Sequence, residues 1–296
     1  MSFMLLGILN SQAAGGAAGL FVAGGSPGQI RTSEDGITWE SRTSGFGSGT
    51  IRGLTYGDGV YVAVGDSGGL ITSPDTVTWT ARTSQFGSTR IYDVTYGDGV
   101  FVAVGDTGTL TTSSDALTWT TRTSGFGSEN IYGVAYGNGV YVAVGHSGTL
   151  TTSTNATSWT SRTSGFGSTI IRNAAYGNGL YVAVGLSGTL TTSTDGITWT
   201  SRTSAFGTTF INSVTFGDNL YVAVGGSAKL TTSTDGITWT VRTSNLLYSI
   251  FAVTYGNGVY VATGDAGELT TSTNGTSWTS RTSGFGTNEI RGVTFG

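Results

Sequence analysis

The 296-residue sequence contains no cysteine. Disulfides, thiolate metal sites and cysteine nucleophiles are therefore excluded, and the fold must be held by its core alone. Proline occurs twice, lysine once (Lys229) and histidine once (His146), and the net charge is −4. One histidine excludes a poly-histidine metal site. A chain without a basic field is not built to follow a phosphate backbone, so nucleic acid is not an expected partner. Long hydrophobic runs are also missing. The longest, Phe3 to Leu9, falls far short of the ~20 residues a membrane-spanning helix needs. Glycine-rich segments such as Tyr136-Gly137-Asn138-Gly139 lack the lysine and the strand-to-helix context of a phosphate loop. No cofactor and no metal are expected.

Glycine is abundant, at 50 residues, and aromatic residues make up 11% against 10% charged. Disordered chains show the opposite balance. Glycine combined with β-branched and aromatic residues predicts many short strands joined by tight turns.

The strands repeat. Tryptophan stands at positions 39, 79, 119, 159, 199, 239 and 278, a spacing of 40 residues five times and then 39. The deficit lies in Asn245-Leu246-Leu247-Tyr248-Ser249. One copy shows the unit. Ile131 to Tyr136 is a short apolar strand, and Gly137-Asn138-Gly139 a tight turn. Val140 to Val144 is apolar throughout and reads as a strand buried on both faces. Gly145-His146-Ser147-Gly148 turns the chain into a third strand, Thr149 to Ser153. A further turn leads to a fourth strand, Trp159 to Thr163. Four antiparallel strands per 40 residues describe a propeller blade, and seven units fill the chain. The expected fold is an all-β, seven-bladed β-propeller over residues 17–296, preceded by an apolar arm and Gly/Ala linker over residues 1–16.

The two ends predict closure. The first copy starts at Leu20-Phe21-Val22-Ala23, which matches the second strand of the others. The missing first strand is matched by Ile290-Arg291-Gly292-Val293-Thr294-Phe295. The end of the chain should complete the blade that its beginning opens. An open solenoid would need atypical capping ends, and none is visible.

The turn before each tryptophan, as in Ser193-Thr194-Asp195-Gly196-Ile197-Thr198-Trp199, resembles the Asp-box, or BNR repeat, of sialidase-like propellers, shortened by one residue. The wider unit is similar to the propellers of the photosystem II assembly-factor family. The resemblance implies fold rather than activity. The turns read as staples, in which the Asp, or Asn at 155 and 274, accepts hydrogen bonds from the turn's own N–H groups. The seven arginines that follow (42, 82, 122, 162, 202, 242 and 281) are expected to lie over the blade surface and cap loop carbonyls.

Residues 1–16 resemble the leader of virion proteins from tailed phages, in which a short apolar segment and a Gly/Ala linker precede varied β-domains. No Lys or Arg precedes the apolar stretch, as a secretory signal would require, so a retained arm is expected. Phe3, Met4, Leu5, Leu6, Ile8 and Leu9 would dock it on another virion protein.

In sialidase-like propellers the Asp-boxes face away from the ligand site. By that analogy the ligand face carries the turns between second and third strands and the starts of the first strands. Two positions vary there between copies. The turn position is Ser26, Asp66, Asp106, His146, Leu186, Gly226 and Asp265. The second residue of the first strand is Arg52, Tyr92, Tyr132, Arg172, Asn212, Phe251 and Arg291. Both rings are expected to surround the central channel. Such residues bind sugars through stacking and multiple hydrogen bonds, although loop residues also vary without constraint after duplication. Arg52, Arg172 and Arg291 invite comparison with the carboxylate-binding arginine triad of sialidases. The Phe-Arg-Ile-Pro motif, the Tyr–Glu pair and the acid–base Asp of those enzymes have no assignable counterpart. Asp66 and Asp106 are the only paired-carboxylate candidates for glycoside cleavage. No catalytic residue is expected.

The leading expectation is a non-enzymatic surface protein of a tailed-phage virion, anchored by its arm and serving as decoration, as a fibre or as a host-surface, glycan-binding adhesin, with a host-surface glycan and further copies of itself as candidate partners. The alternatives are a secreted or cell-surface lectin-like module of bacteria and a glycosidase.

Overall fold

The computed structural model describes residues 19–296; the arm, including Phe3 to Leu9, lies outside them. The described chain forms seven four-stranded antiparallel sheets. It is a seven-bladed β-propeller. In the fourth blade the strands are Ile131–Gly137, Val140–Gly145, Thr149–Ser153 and Thr160–Thr163, from the channel outward. The first hairpin turns through Asn138 and Gly139, with φ of 43° and 78°, the left-handed pair a two-residue hairpin demands.

The first blade is assembled from both ends. Phe21–Gly25 pairs with Gln29–Ser33 on one side and with Ile290–Phe295 on the other. Phe21 lies opposite Phe295, and Gly25 opposite Ile290. The closing strand stands where the sequence places it.

A blade has two apolar faces, so the core is shared between neighbours. Each of seven hydrophobic clusters joins adjacent blades; Val102, Val104 and Leu110 of the third, for example, pack against Ile131, Val134 and Tyr141 of the fourth. Contact is closest where a glycine ending one first strand receives the aromatic ring of the next blade. A Cβ on Gly97 would stand 2.1 Å from the Tyr136 ring, and one on Gly296 would stand 2.1 Å from Tyr56. No side chain fits there, and the ring of contacts closes through the chain's last residue.

The turns before the tryptophans are staples, as expected. Asp195 Oδ1 accepts the N–H groups of Ile197 and Thr198, both at 2.8 Å, and Trp199 Nε1 donates to the Gly196 carbonyl at 3.0 Å. Asn155 makes the same pair of bonds at 2.9 Å. The repeated arginines act differently from expectation. Each donates its Nε to a threonine hydroxyl on the third strand, as Arg162 does to Thr152 at 2.9 Å; Arg42, Arg82, Arg122, Arg202, Arg242 and Arg281 repeat the bond. The reason is register: Arg162 pairs with Leu150, which sets its head beside the threonine two residues on. Loop carbonyls are capped instead by the serine that follows. Ser164 Oγ, for example, donates to the Gly148 carbonyl at 2.7 Å.

The shortened link after the sixth blade is held firmly. Glu268 accepts the N–H groups of Leu247 and Tyr248 at 2.9 Å, and Asn245 Nδ2 donates to the Trp278 carbonyl at 2.6 Å. Leu246 packs on the core in place of the phenylalanine found in other copies, while Leu247 is 81% exposed.

Candidate functional site

Every first strand contains one residue too many for its partner. Ile131 lies opposite Gly145, but Gly133 lies opposite Val144, so Tyr132 has no partner in the ladder. The same shift leaves out Arg52, Tyr92, Arg172, Asn212, Phe251 and Arg291. A β-bulge re-aims a side chain. Here seven bulges turn seven variable side chains toward one axis, where all of them line a central cavity of about 560 Å³.

The turn ring behaves differently. Asp66, Asp106, His146, Leu186, Gly226 and Asp265 lie on the same face, each N–H donating to a carbonyl just ahead of a bulge, as Asp66 does to Thr50 at 3.0 Å. Ser26 does likewise to Glu289 at 3.1 Å. None of these seven lines the cavity. The expectation that both rings surround the channel is corrected: the turns follow the second strand and so stand farther from the axis, at the rim.

Rim and channel meet through charge. Arg52 donates to Asp66 at 2.6 Å, and Arg90 approaches the same carboxylate at 3.5 Å. Desolvation works against ionisation of Asp66, but the bonds from Arg52 and the Thr50 N–H outweigh it and hold the carboxyl below its usual range. Asp66 is thereby fixed as an anion, and Asp106 accepts the Arg90 N–H at 3.1 Å. His146 pairs with Glu129 at 2.5 Å, both roughly half-exposed. Among the described residues no group of three or more metal-ligating side chains converges.

The channel ring is mixed. Tyr92 and Tyr132 meet edge to face with centroids 5.0 Å apart. Arg291 lies over Phe251 at 3.8 Å and donates to Glu289 at 2.6 Å. Arg172 lies over Phe210 at 5.3 Å and donates to Asn212 Oδ1 at 2.9 Å. Stacking of guanidinium on a ring leaves its hydrogen-bonding edge free.

Four residues here escaped the sequence reading. Asp93 follows the bulge in the third blade and is, among the described residues, the only carboxylate lining the cavity. Its oxygens accept the N–H groups of Val94 at 2.8 Å and, on the next blade, Val134 at 3.0 Å. Desolvation by the channel wall dominates and pushes its pKa up to about 7. Asn173 bridges to Val214 in the same way at 3.1 Å. Blades approach closely at this waist; a Cβ on Gly53 would stand 2.9 Å from the Asp93 Cα. Phe210 and Glu289 sit just before the constant isoleucine. That position reads Thr50, Arg90, Asn130, Ile170, Phe210, Ser249 and Glu289, as varied as the two rings chosen, and comparison of the copies would have found it.

The tryptophan turns lie at the opposite end of the blades. Phe21 pairs with Ser33, which leads into the Asp35 turn, and with Phe295. The chain enters on that side: Leu20 exchanges backbone bonds with Gly296 at 2.7 and 3.1 Å.

No family model and no curated protein matches the chain. Solved structures do. YCF48 bound to a D1 peptide is 15% identical, with 86% of this chain and 87% of that one covered and a TM-score of 0.69. YCF48 from Cyanidioschyzon merolae is 18% identical over 84% and 89%, with a TM-score of 0.66. A catalytically inactive virginiamycin B lyase from Staphylococcus aureus, with quinupristin, is 12% identical over 84% and 92%, with a TM-score of 0.75. At these identities the likeness establishes the propeller fold. These neighbours range from a peptide-bound protein to a lyase, so fold alone carries no activity. Among the described residues no helix is long and apolar enough to cross a membrane.

Proposed function

We propose that this propeller is a non-catalytic binding protein whose channel mouth takes a saccharide. One observation carries the reading: seven bulges aim the variable residues of seven near-identical blades into a single cavity. The mouth supplies aromatic rings at Tyr92, Tyr132 and Phe251, the last with Arg291 already over one face, and directional donors and acceptors at Arg172 and Asn212. Stacking faces beside polar groups suit a sugar ring.

The reading includes a context. The resemblance of residues 1–16 to virion leaders supports a phage virion surface protein, docked by its apolar arm on another virion component. The chain enters the propeller on the face away from the mouth. Anchorage there turns the mouth outward, toward a host-surface glycan. Catalysis finds little support in the channel: glycoside cleavage uses two carboxylates, and among the described residues the lining carries only Asp93.

The test has two arms. A glycan array probed with the full chain and with a Tyr92→Ala/Tyr132→Ala/Phe251→Ala variant should show binding that the variant loses while its melting curve persists. A chain lacking residues 1–14 should keep glycan binding and fail to join the particle. No glycan bound by the full chain removes the saccharide reading. Normal incorporation of the shortened chain removes the anchoring role and, with it, the virion reading's main support.

A further inference from the structure

The three channel arginines do not form an equivalent set. Arg52 is paired with Asp66 at 2.6 Å, and Arg291 with Glu289 at 2.6 Å. Among the described residues no carboxylate lies within salt-bridge distance of Arg172. Its Nη1 donates to the neutral Asn212 amide at 2.9 Å, and its buried Nε has no partner. Asn212 is itself fixed, since its Nδ2 donates to the Ile250 carbonyl at 2.8 Å and leaves its oxygen for the arginine. The Phe210 ring supports the guanidinium from one side.

This geometry holds a cation at the channel wall without a counterion. Burying an unpaired charge is costly unless something neutralises it. Desolvation lowers the proton affinity of Arg172, and the like charge of Arg291 adds to the effect. Asp93 does not pair with it: among the described residues no salt bridge joins the two, and the Asp93 oxygens point to the backbone N–H groups of Val94 and Val134. The cavity, about 560 Å³, is far larger than an inorganic ion needs and falls within the range that accommodates small organic ligands.

We infer that Arg172 is a specificity-determining anion subsite, and that the saccharide taken by the mouth is acidic, carrying a singly charged oxyanion on the sugar, either a carboxylate or a sulfate ester. Asn212 and Phe210 hold the guanidinium in place, and the ligand's oxyanion completes its pairing. This rests on the saccharide reading above and adds the charge.

The experiment compares short galacturonate oligomers, their methyl esters, sulfated galactose oligomers and neutral galactose oligomers on the full chain by calorimetry. A charge-assisted hydrogen bond to a desolvated guanidinium is worth about 1.4 kcal/mol or more, a factor of ten. At least one charged oligomer should therefore bind about ten-fold or more tightly than its neutral counterpart, and the preferred one identifies the source of the oxyanion. Arg172→Gln should erase the difference between each charged oligomer and its neutral counterpart, and Arg172→Lys should restore part of it. The preference should also weaken as salt rises. Equal binding of acid and methyl ester, with no gain from sulfate, overturns the inference while the saccharide reading stands. Absence of binding to every oligomer overturns the inference, and the glycan array decides the saccharide reading separately. The comparison on the unaltered chain decides even where an Arg172 variant fails to fold.

Discussion

Tyr61 donates its hydroxyl to the carbonyl of Gly296 at 2.5 Å, across 235 positions of sequence. The same bond links Tyr141 to Gly97, Tyr181 to Gly137, Tyr221 to Gly177 and Tyr260 to Gly217. In each case a second-strand tyrosine reaches back to the glycine that ends the preceding blade's first strand. Gly296 therefore fills, in the first blade, the place that Gly97 fills in the third.

Tyr61→Phe should keep the fold, since Phe21 and Phe101 occupy this position in their own blades. It should cost about 1 kcal/mol for the lost bond, read as a drop of a few degrees in melting temperature. Removing residues 290–296 should do far more, opening the apolar faces of the first and seventh blades and causing aggregation. A truncated chain that melts normally would show that the ring does not need this strand.

The turn aspartates should govern acid stability. In Asp235 the N–H groups of Thr238 and Ile237 lower the carboxyl from 3.8 to about 2. Asp35, Asp75, Asp115 and Asp195 are lowered by the same kind of bond. A depressed carboxyl stabilises the fold above its unfolded pKa and loses that contribution as pH falls through the folded one. The melting temperature should therefore drop between about pH 4 and 2 and be insensitive to these groups above. Asp235→Asn should flatten its share of the drop, because Asn155 and Asn274 already make the same bonds without titrating. An unchanged acid profile would mean the turns do not set it.

Asp93 should act in the opposite sense. Its folded pKa, about 7, stands above the usual 3.8, so the folded state holds the proton more tightly than the unfolded chain. Stability should fall as pH rises from about 4 to 7, as the wall forces an anion into the channel. Asp93→Asn should remove that slope while keeping the bond to Val134, as Asn173 keeps its own to Val214. Thermal melts at pH 5 and pH 8 check this; equal pH sensitivity in both proteins would place the titrating group elsewhere.

The chain should not hydrolyse fluorogenic sialosides or aryl glycosides. Asp66 is held ionised by Arg52 and the Thr50 N–H, which suits a structural anion and not a proton donor. Turnover that disappears on Arg291→Ala would reverse this expectation.

The fold was legible because each of its determinants is local and repeated. Trp159, the Asn138-Gly139 turn and the Val140 to Val144 run announce one blade, and seven copies announce the ring. The matching ends, Leu20 to Ala23 and Ile290 to Phe295, announce its closure without any knowledge of coordinates. Alternation and turn chemistry act within a few residues, so a single sequence displays them. The site was legible only as variation. Nothing in Ile171-Arg172-Asn173 signals a bulge, because a bulge is a mismatch between two strands and exists only once they pair. That mismatch sends Arg172 into the channel and leaves Asp66 and His146 on the rim. Tertiary structure alone also decides which charges remain unpaired. Arg52, Arg172 and Arg291 look alike in sequence, yet Asp66 neutralises the first and Glu289 the last, while the neighbours of Arg172 are an amide and an aromatic ring.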